Sequence, residues 1–363
     1  MESLEQLRNV TSLAARCIDV QLNFIDEKCQ DISAYMVLSL LMKKLPRVFM
    51  RGMINPEIAK VLQSFGIARS LGIGRIQLHV PPRSLILPFR MVTRVQPRKF
   101  GDSEHQLKPQ ASERVADRFC SAMEAWLALH KIQLSAAAQG SIVETITEAL
   151  DNAERHGWPD EDGLGDWSMA GFCRLNVSDA AEISVDCCFA IVNVGETISE
   201  SLDSASVDVR RRIDSYLKDH ASSNKGRVES LRTVMALQDG ITRIAEANDS
   251  HRGGIGLMEL TTIVAELGGL GEGDIDSRLS IVSGSSHLRI MHPYRSGEAP
   301  TGSRMRELWF NDANCASQPP DPNHVMTMTE HFPGTIIAAR FSIDPAYLVR
   351  KISENEFGAD GRN

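Results

Sequence analysis

The sequence predicts an α/β protein of two domains, because strand-like and helix-like segments alternate near its start and helices precede strands in its longer remainder. The chain has 363 residues, which exceeds the size of most single hydrophobic cores. A polar stretch without periodicity at 96–110 separates the two patterns. We therefore expect one domain over residues 1–100 and a second over residues 101–350.

The first domain shows two strand–helix–strand passages, which are typical of a small α/β domain. The second helix is expected to begin at Asn55-Pro56, since Asn is a good N-cap and Pro suits the first helical position, and to end at Gly66. Strands are predicted at 18–24, 47–50, 75–80 and 84–92, and helices at 31–45 and 56–65.

The second domain places helices before strands, which indicates a mixed, mainly antiparallel sheet with helices on one face. Helices are predicted at 112–131, 135–157 and 253–267, and strands at 171–178, 182–194, 278–284, 286–291 and 334–343. A long polar and helical stretch occupies 196–252. Residues 294–328 are rich in Pro, Ser, Asn and Gly, and predict an insertion or mobile loop.

Composition and charge limit the classes of protein to which this chain can belong. No apolar run approaches the roughly 20 residues of a membrane helix, and we see no signal peptide, so a cytoplasmic protein is expected. Seven cysteines without a CxxC pair favour reduced thiols over a structural zinc. The adjacent Cys187 and Cys188 are either a redox device or, as we favour, small side chains of a buried strand. The net charge of −8 disfavours non-specific nucleic-acid binding.

The most informative residues are Glu148 and Asn152, four positions apart on a predicted helix and therefore on nearly the same face. An amide oxygen is a hard ligand that suits Mg²⁺. A carboxylate one turn earlier can take a proton from a water or hydroxyl aimed at a γ-phosphate. Taken alone, this spacing also fits an ordinary solvated helix face.

Three further elements accompany that helix. The glycines in 252–257 open a helix whose backbone N–H groups and dipole favour an anion, although a plain turn has the same composition. A strand ends at Asn193-Val194-Gly195, and the last strand begins at Gly334-Thr335.

The order of these four elements resembles the ATP-binding fold shared by gyrase, histidine kinases, MutL and heat-shock chaperones, called the GHKL or Bergerat fold. The pattern EAxxNxxxHG, formed by Glu148, Asn152 and His156-Gly157, looks most like the N-box of anti-sigma-factor serine kinases. The resemblance covers roughly 111–343. It implies an α/β two-layer sandwich whose sheet is mixed and mainly antiparallel, with ATP and Mg²⁺ as cofactors.

The resemblance also implies roles for single residues. In this family Asn152 would bind Mg²⁺, and Glu148 would act as the base. Gly254 and Gly256 of the glycine box would cradle the phosphates, while Asn193 and Thr335 would hold adenine. Gly195, Arg252 and Leu257 are further candidates for nucleotide binding.

One position departs from the family, which has Asp-x-Gly-x-Gly where this chain has Asn193-Val194-Gly195-Glu196-Thr197. The asparagine oxygen still accepts a hydrogen bond from the adenine amino group but carries no charge, so weaker affinity or an altered base preference is expected. The other interpretation is that Asn193 caps a turn in a degenerate pocket.

The segment 196–252 corresponds to the lid over the phosphates. Its cationic side chains are either γ-phosphate ligands or a solvated face, and the sequence does not choose among Lys225, Arg227, Arg232, Arg243 and Arg252. His156 either contacts phosphate or interacts with the carbonyls at its helix end.

Residues 18–90 resemble, more loosely, the STAS fold of anti-anti-sigma factors, which implies a regulatory or interaction role for the first domain. Ser33 matches the serine that such proteins present for phosphorylation, and an N-cap role is the alternative.

Together these features predict an ATP- and Mg²⁺-binding regulatory protein that hydrolyses ATP slowly or phosphorylates Ser or Thr on a partner. The alternative is a catalytically inactive interaction module with a degenerate nucleotide pocket. A protein partner is expected, a homodimer is left open, and neither membrane nor nucleic acid is expected as a partner.

Overall fold

The computed structural model describes residues 20–21, 23, 32–44, 50–51, 53–68, 85–94, 110–157, 165–177, 183–220, 226–241, 256–268, 277–343 and 347–350. Over these residues the protein is α/β, with a five-stranded antiparallel sheet and eight α-helices. The α/β class expected from the sequence is confirmed.

The strands of the main sheet follow the predicted order along the chain, but the strands predicted at 278–284 and 286–291 form one, and the last begins at Val325 and not at Gly334. The short strands at Ile132–Leu134 and Leu348–Arg350 were not predicted. The strands are β1 (Val20–Gln21), β2 (Met50–Arg51), β3 (Ile86–Thr93), β4 (Ile132–Leu134), β5 (Trp167–Val177), β6 (Ile183–Val194), β7 (Arg278–Ile290), β8 (Val325–Ile343) and β9 (Leu348–Arg350). The main sheet has the order β3-β5-β6-β8-β7 and every neighbouring pair is antiparallel. The predicted strand at 75–80 lies outside the described residues.

The helices also lie close to their predicted positions. They are α1 (Ser33–Lys44), α2 (Pro56–Ser64), α3 (Ser112–Leu129), α4 (Ala136–His156), α5 (Ile198–Ser201), α6 (Val207–Asp219), α7 (Val228–Leu237) and α8 (Gly256–Leu267). α2 begins at Pro56 and is followed by Gly66 with a φ of 77°, as the N-terminal proline and C-terminal glycine predict.

The main sheet crosses the domain boundary predicted near residue 100. β3 comes from the amino-terminal side of that boundary, yet it pairs with β5, with Ile86 opposite Arg174 and Thr93 opposite Ser168. Arg94 continues the contact by donating its backbone N–H to the carbonyl of Trp167 at 3.0 Å. The edge of the sheet therefore belongs to a segment that the sequence pattern had grouped with the first domain.

One face of the sheet packs against α3, α4 and α8. Side chains such as Phe119 of α3 and Ile146 of α4 meet Phe189 of β6 and Ile337 of β8 in one continuous core. These positions alternate along each strand with residues of the opposite face, as the twofold repeat of a strand requires.

The opposite face packs against α1 and α2. Met36 and Leu62 join Ala190 and Val192 of β6 and Ile336 of β8 in a second cluster. Helices on one face only were expected. Instead, β6 and β8 are covered on both sides, because the amino-terminal helices supply a third layer.

The predicted lid segment contributes to the first core. Ile213 and Tyr216 of α6, and Val234 and Leu237 of α7, are each at most 4% exposed. Over 196–220 and 226–241, this segment is therefore a packed helical layer whose apolar side lies against the rest of the protein.

The insertion before β8 has neither helix nor long strand over 294–324, as its composition predicts, but a loose loop is the wrong description. Trp309 and Phe310 are buried. Arg306 donates to Asp239 at 3.0 Å and pairs with Glu259 at 2.7 Å, which ties the insertion to the end of α7 and to α8. Buried apolar side chains and ion pairs therefore hold the insertion against the rest of the protein, although it has no regular secondary structure.

Two smaller expectations can be compared with the described residues. None of their helices combines the length and apolarity needed to cross a bilayer. Cys187 and Cys188 are buried in β6, at 1% and 5% exposure, which agrees with their interpretation as residues of a buried strand.

Replacing Phe310 by Ala tests whether the insertion is part of the core. We expect a loss of about 3–5 kcal/mol in the free energy of unfolding, since a fully buried ring is removed. Chemical denaturation measures it. The control Met305→Ala, at a side chain that is 52% exposed, should change stability by less than about 0.5 kcal/mol. Equal, small effects at both positions would show that the insertion is not packed.

Candidate functional site

The carboxyl-terminal end of α4 is fixed to the sheet by a buried polar contact. The carboxylate of Glu154 accepts a hydrogen bond from Trp167 Nε1 at 3.2 Å and lies 3.3 Å from Nε of Arg94. Arg94 is 2% exposed and the Glu154 side chain 22% exposed, so this ion pair is partly shielded from water. At the other end of the helix, Ser135 caps it by accepting from the N–H of Ala138. α4 therefore presents its polar flank in a defined orientation.

Glu148 and Asn152 lie on that flank, one helical turn apart as predicted. Asn152 Nδ2 donates to Glu148 Oε1 at 3.3 Å, and Arg155 donates to Asn152 Oδ1 at 2.8 Å. The amide oxygen that the sequence suggested as a Mg²⁺ ligand is thus bonded to an exposed guanidinium. A cation bound at this oxygen would require the Arg155 side chain to move, for which it has space at the surface.

Burial raises the pKa of the Glu148 carboxyl above its ordinary value. The Arg155 guanidinium opposes this effect, while the carboxylate of Asp151 adds to it. A carboxylate with a raised pKa is a stronger base than an ordinary one and is better suited to accept a proton.

A row of polar side chains crosses the sheet at the end where α4 terminates. In the strand pairing Asn193 is opposite Thr335, and Thr335 is opposite Ser283. The hydroxyls of Ser283 and Thr335 are 3.0 Å apart, and Ser283 Oγ also accepts from the N–H of Ile198 at 2.8 Å. All three side chains of the row are buried, and they lie on the face that packs against α3, α4 and α8.

Asn193 is the member of this row whose hydrogen bonding is incomplete. Its side chain is 2% exposed, and its Nδ2 has no hydrogen-bond partner among the described residues. An unsatisfied buried donor costs about 1–3 kcal/mol, so such groups call for an explanation. A ligand that accepts a hydrogen bond at this end of the sheet would supply one.

Glycines allow the backbone segments to meet closely beside the row. Gly334 has a φ of 143°, and a Cβ added there would lie 2.2 Å from the carbonyl oxygen of Asn193. Gly157, which follows α4, pairs with Gly195, which follows β6. A Cβ on Gly157 would lie 2.7 Å from the Cα of Gly165. Only glycine fits where the backbone approaches so closely.

α8 begins at Gly256 and directs its first turn toward the same end of the sheet. Its far end is fixed by Gly268, where an added Cβ would lie 3.3 Å from Cβ of Phe341. Thr335 is six residues before Phe341 on β8, a span of roughly 20 Å that is close to the length of a twelve-residue helix. Leu257 packs against the first core. Arg252 and Gly254 lie outside the described residues.

The two described cationic candidates of the lid are engaged within the protein. Arg227 donates to the carbonyl of Val325 at 2.6 Å. Arg232 donates to the carbonyl of Ser199 at 2.8 Å and pairs with Asp203. These bonds favour structural roles for both. Lys225, Arg243 and Arg252 lie outside the described residues.

His156 contacts Glu196, a partner that neither interpretation of the sequence included. Its Nδ1 is 3.7 Å from a carboxylate oxygen of Glu196, and its carbonyl accepts from the N–H of Glu196 at 2.9 Å. The histidine thus links the end of α4 to the start of the lid segment.

The structure brings most of the predicted site residues to one end of the sheet. Asn193, Gly195 and Thr335 adjoin one another, and α4 and α8 flank them. Sequence reasoning missed Ser283 and Arg155. Ser283 is two positions from Ile281 on β7, so the period of the strand places both side chains on one face and could have identified Ser283. Nothing in the sequence indicates that Arg155 bonds to Asn152.

Comparisons of the chain with protein-family models, curated proteins and solved structures found no match. Among the described residues, no group of three or more His, Cys, Asp or Glu side chains is arranged to hold a metal ion. A Mg²⁺ ion held mainly by phosphates and water needs only one or two protein ligands, so the Asn152–Glu148 pair fits that kind of site.

Gly334→Ala tests the close approach at the sheet end. We expect it to lower the free energy of unfolding by more than about 3 kcal/mol, because backbone strain adds to a clash with the Asn193 carbonyl. Gly302 has a φ of 84° with nothing within 4 Å of an added Cβ. Gly302→Ala should therefore cost only about 1–2 kcal/mol. Urea denaturation compares them, and equal costs would contradict the close approach.

Glu148→Gln tests the raised pKa of Glu148. Because the folded state binds this proton more tightly, wild-type stability decreases as pH rises from the ordinary carboxyl range through the folded pKa. The variant has no charge to bury, so its melting temperature should exceed that of wild type at pH 7, with the difference shrinking at acidic pH. Exposed Glu298→Gln is the control. A Glu148→Gln difference that is independent of pH would contradict the assignment.

Proposed function

We propose that this protein binds adenosine triphosphate with Mg²⁺ at the end of the sheet where α4 and α8 meet, in an arrangement like that of the Bergerat fold. The observation that carries this proposal is the buried row Asn193–Thr335–Ser283 with an unpaired amide donor at Asn193. The order of elements along the chain, with Glu148 and Asn152 on the flanking helix, supports the same assignment.

Asn193 is assigned to adenine because a carboxamide offers both a donor and an acceptor. Nδ2 would donate to a ring nitrogen, and the amide oxygen would accept from the exocyclic amino group, which is a matched pair of bonds. The backbone next to this contact is held by Gly334, whose lack of a side chain lets β8 approach the Asn193 carbonyl closely. Thr335 and Ser283 would fix the position of this edge through their mutual hydrogen bond.

Asn152 and Glu148 are assigned to the phosphate end. Asn152 Oδ1 would bind the cation after Arg155 releases it, and Glu148 would take the proton of the attacking water or hydroxyl. Bound Mg²⁺ supplies neutralisation of the charge on the phosphates. The amino terminus of α8 points to the same end and favours an anion through its free N–H groups.

The biological role that fits this site is regulation through a protein partner. β6 carries Asn193 on one face and Val192 on the other, where Val192 packs with α1 and α2. We assign α1 and α2, together with Ser33 at the start of α1, to a STAS-like regulatory region. Nucleotide binding at Asn193 would then change how α1 and α2 pack against β6.

Titration calorimetry with Mg-ATP tests the proposal directly. Wild type should bind, and Asn193→Ala should bind at least about tenfold more weakly, since both hydrogen bonds to the base are lost. Asn193→Asp should also bind more weakly, because the carboxylate still accepts from the amino group but cannot donate to the ring nitrogen. Asn323→Asp, which adds the same charge at an exposed turn, is the control and should match wild type.

Asn152→Ala and Glu148→Ala separate binding from chemistry. Asn152→Ala should lose the Mg²⁺-dependent part of ATP affinity, whereas Glu148→Ala should keep binding and lose turnover. γ-labelled ATP then distinguishes the reactions, since free phosphate indicates hydrolysis and labelled protein indicates a kinase. Binding without either product supports an inactive interaction module that still holds nucleotide. Absence of Mg-ATP binding in folded wild type would refute the proposal.

A further inference from the structure

A second concave site lies where β7 and β8 turn back on themselves. Ser280 Oγ is 2.9 Å from Nε2 of His287, although seven extended residues would span roughly 23 Å. The strand pairing is irregular around Gly284, whose φ is 59°. The outer part of β7 therefore folds over the inner part of the same strand.

The fold-back encloses a pocket of about 160 Å³. Its walls combine three arginines and a histidine with small apolar side chains. The pocket is lined by, among others, Arg278, Ser280, His287, Arg289, Met291 and Arg340. No carboxylate of the described residues lines it.

No carboxylate of the residues that the structure describes pairs with the opposed arginines of this pocket. Arg278 and Arg340 are directly opposite each other in the antiparallel pairing, where their Cβ atoms are about 5 Å apart and like charges destabilise the sheet. Asp186, on the neighbouring strand, already accepts from Arg174 at 2.7 Å and from Asn176 at 2.8 Å. Neither Arg278 nor Arg340 forms an ion pair with a carboxylate of the described residues.

The backbone around Arg289 is held in place by the turn before β8. Arg289 donates its backbone N–H to the carbonyl of His324 at 2.8 Å, and its own carbonyl is 2.8 Å from Nδ1 of that histidine. The third guanidinium is thus carried by a fixed backbone segment at the mouth of the pocket.

The geometry points to a phosphate-binding pocket, distinct from the nucleotide site, that takes a phosphate dianion or the phosphate of a small monoester. Guanidinium groups bind phosphate oxygens in pairs, and a dianion neutralises the opposed Arg278 and Arg340 together. The Ser280 hydroxyl and the His287 ring add hydrogen-bonding groups. Ser280 lies three positions from Ser283 on β7, which places it on the sheet face opposite the nucleotide row.

Titration calorimetry on the full chain tests this pocket with two probes, inorganic phosphate and phenyl phosphate, at constant ionic strength and with a saturating non-hydrolysable ATP analogue and Mg²⁺ present. Wild type should bind at least one probe. Tighter binding of phenyl phosphate assigns the pocket to monoesters, and binding of inorganic phosphate alone assigns it to the free anion. Binding of neither probe overturns the proposal.

Arg340→Gln should weaken phosphate binding by about tenfold or more, because one of the opposed guanidinium groups is lost. Arg278→Gln should do the same, so the test does not depend on one variant folding. Arg304→Gln, at an exposed position of the insertion, is the charge-matched control and should bind as wild type does.

Thermal unfolding in chloride without phosphate separates binding from a structural role. Removing one of two opposed like charges should raise the melting temperature of Arg340→Gln above that of wild type, and added phosphate should reverse the order. A lower melting temperature in chloride together with unchanged phosphate affinity would overturn the proposal. Both variants should retain wild-type Mg-ATP binding, and a joint loss of nucleotide and phosphate binding would also overturn the assignment of a separate pocket.

Discussion

At the end of the central strand pair, the backbone of Gly334 lies so close to the carbonyl oxygen of Asn193 that no side chain fits between them. This approach keeps Asn193 opposite Thr335 in the pairing of β6 and β8. It also adjoins the register shift beyond which the outer part of β7 pairs with the first residues of β8. The buried row of Asn193, Thr335 and Ser283 therefore depends on one glycine-mediated contact.

The two faces of the sheet carry different side-chain clusters because successive residues of a strand point to opposite sides. On β6, Asn193 faces the helices that bear the proposed nucleotide site, while Val192 faces α1 and α2. On β7, Ser283 belongs to the buried row and Ser280 to the basic pocket. The buried row and the basic pocket thus lie on opposite faces of the same short stretch of β7.

Much of the site was predictable because its signals are local. The four-residue spacing of Glu148 and Asn152, the end of a strand at Asn193 and the glycine before Thr335 are all visible within short segments. The hydrogen bond of Arg155 to Asn152 and the pairing of Ser283 with Thr335 were not, because the sequence offers several partners of equal plausibility to each side chain. The unpaired amide of Asn193 is likewise a property of its neighbours in space.

The sequence by itself determined most of the helices and of the main-sheet strands, their order, and the residue types at the candidate site, since periodicity, caps and glycines act over a few residues. Only the tertiary structure decided that Ile86–Thr93 completes the main sheet, that Phe310 anchors the insertion and that Arg278 faces Arg340. These arrangements depend on strand register and on burial between distant segments, for which a local pattern carries no information.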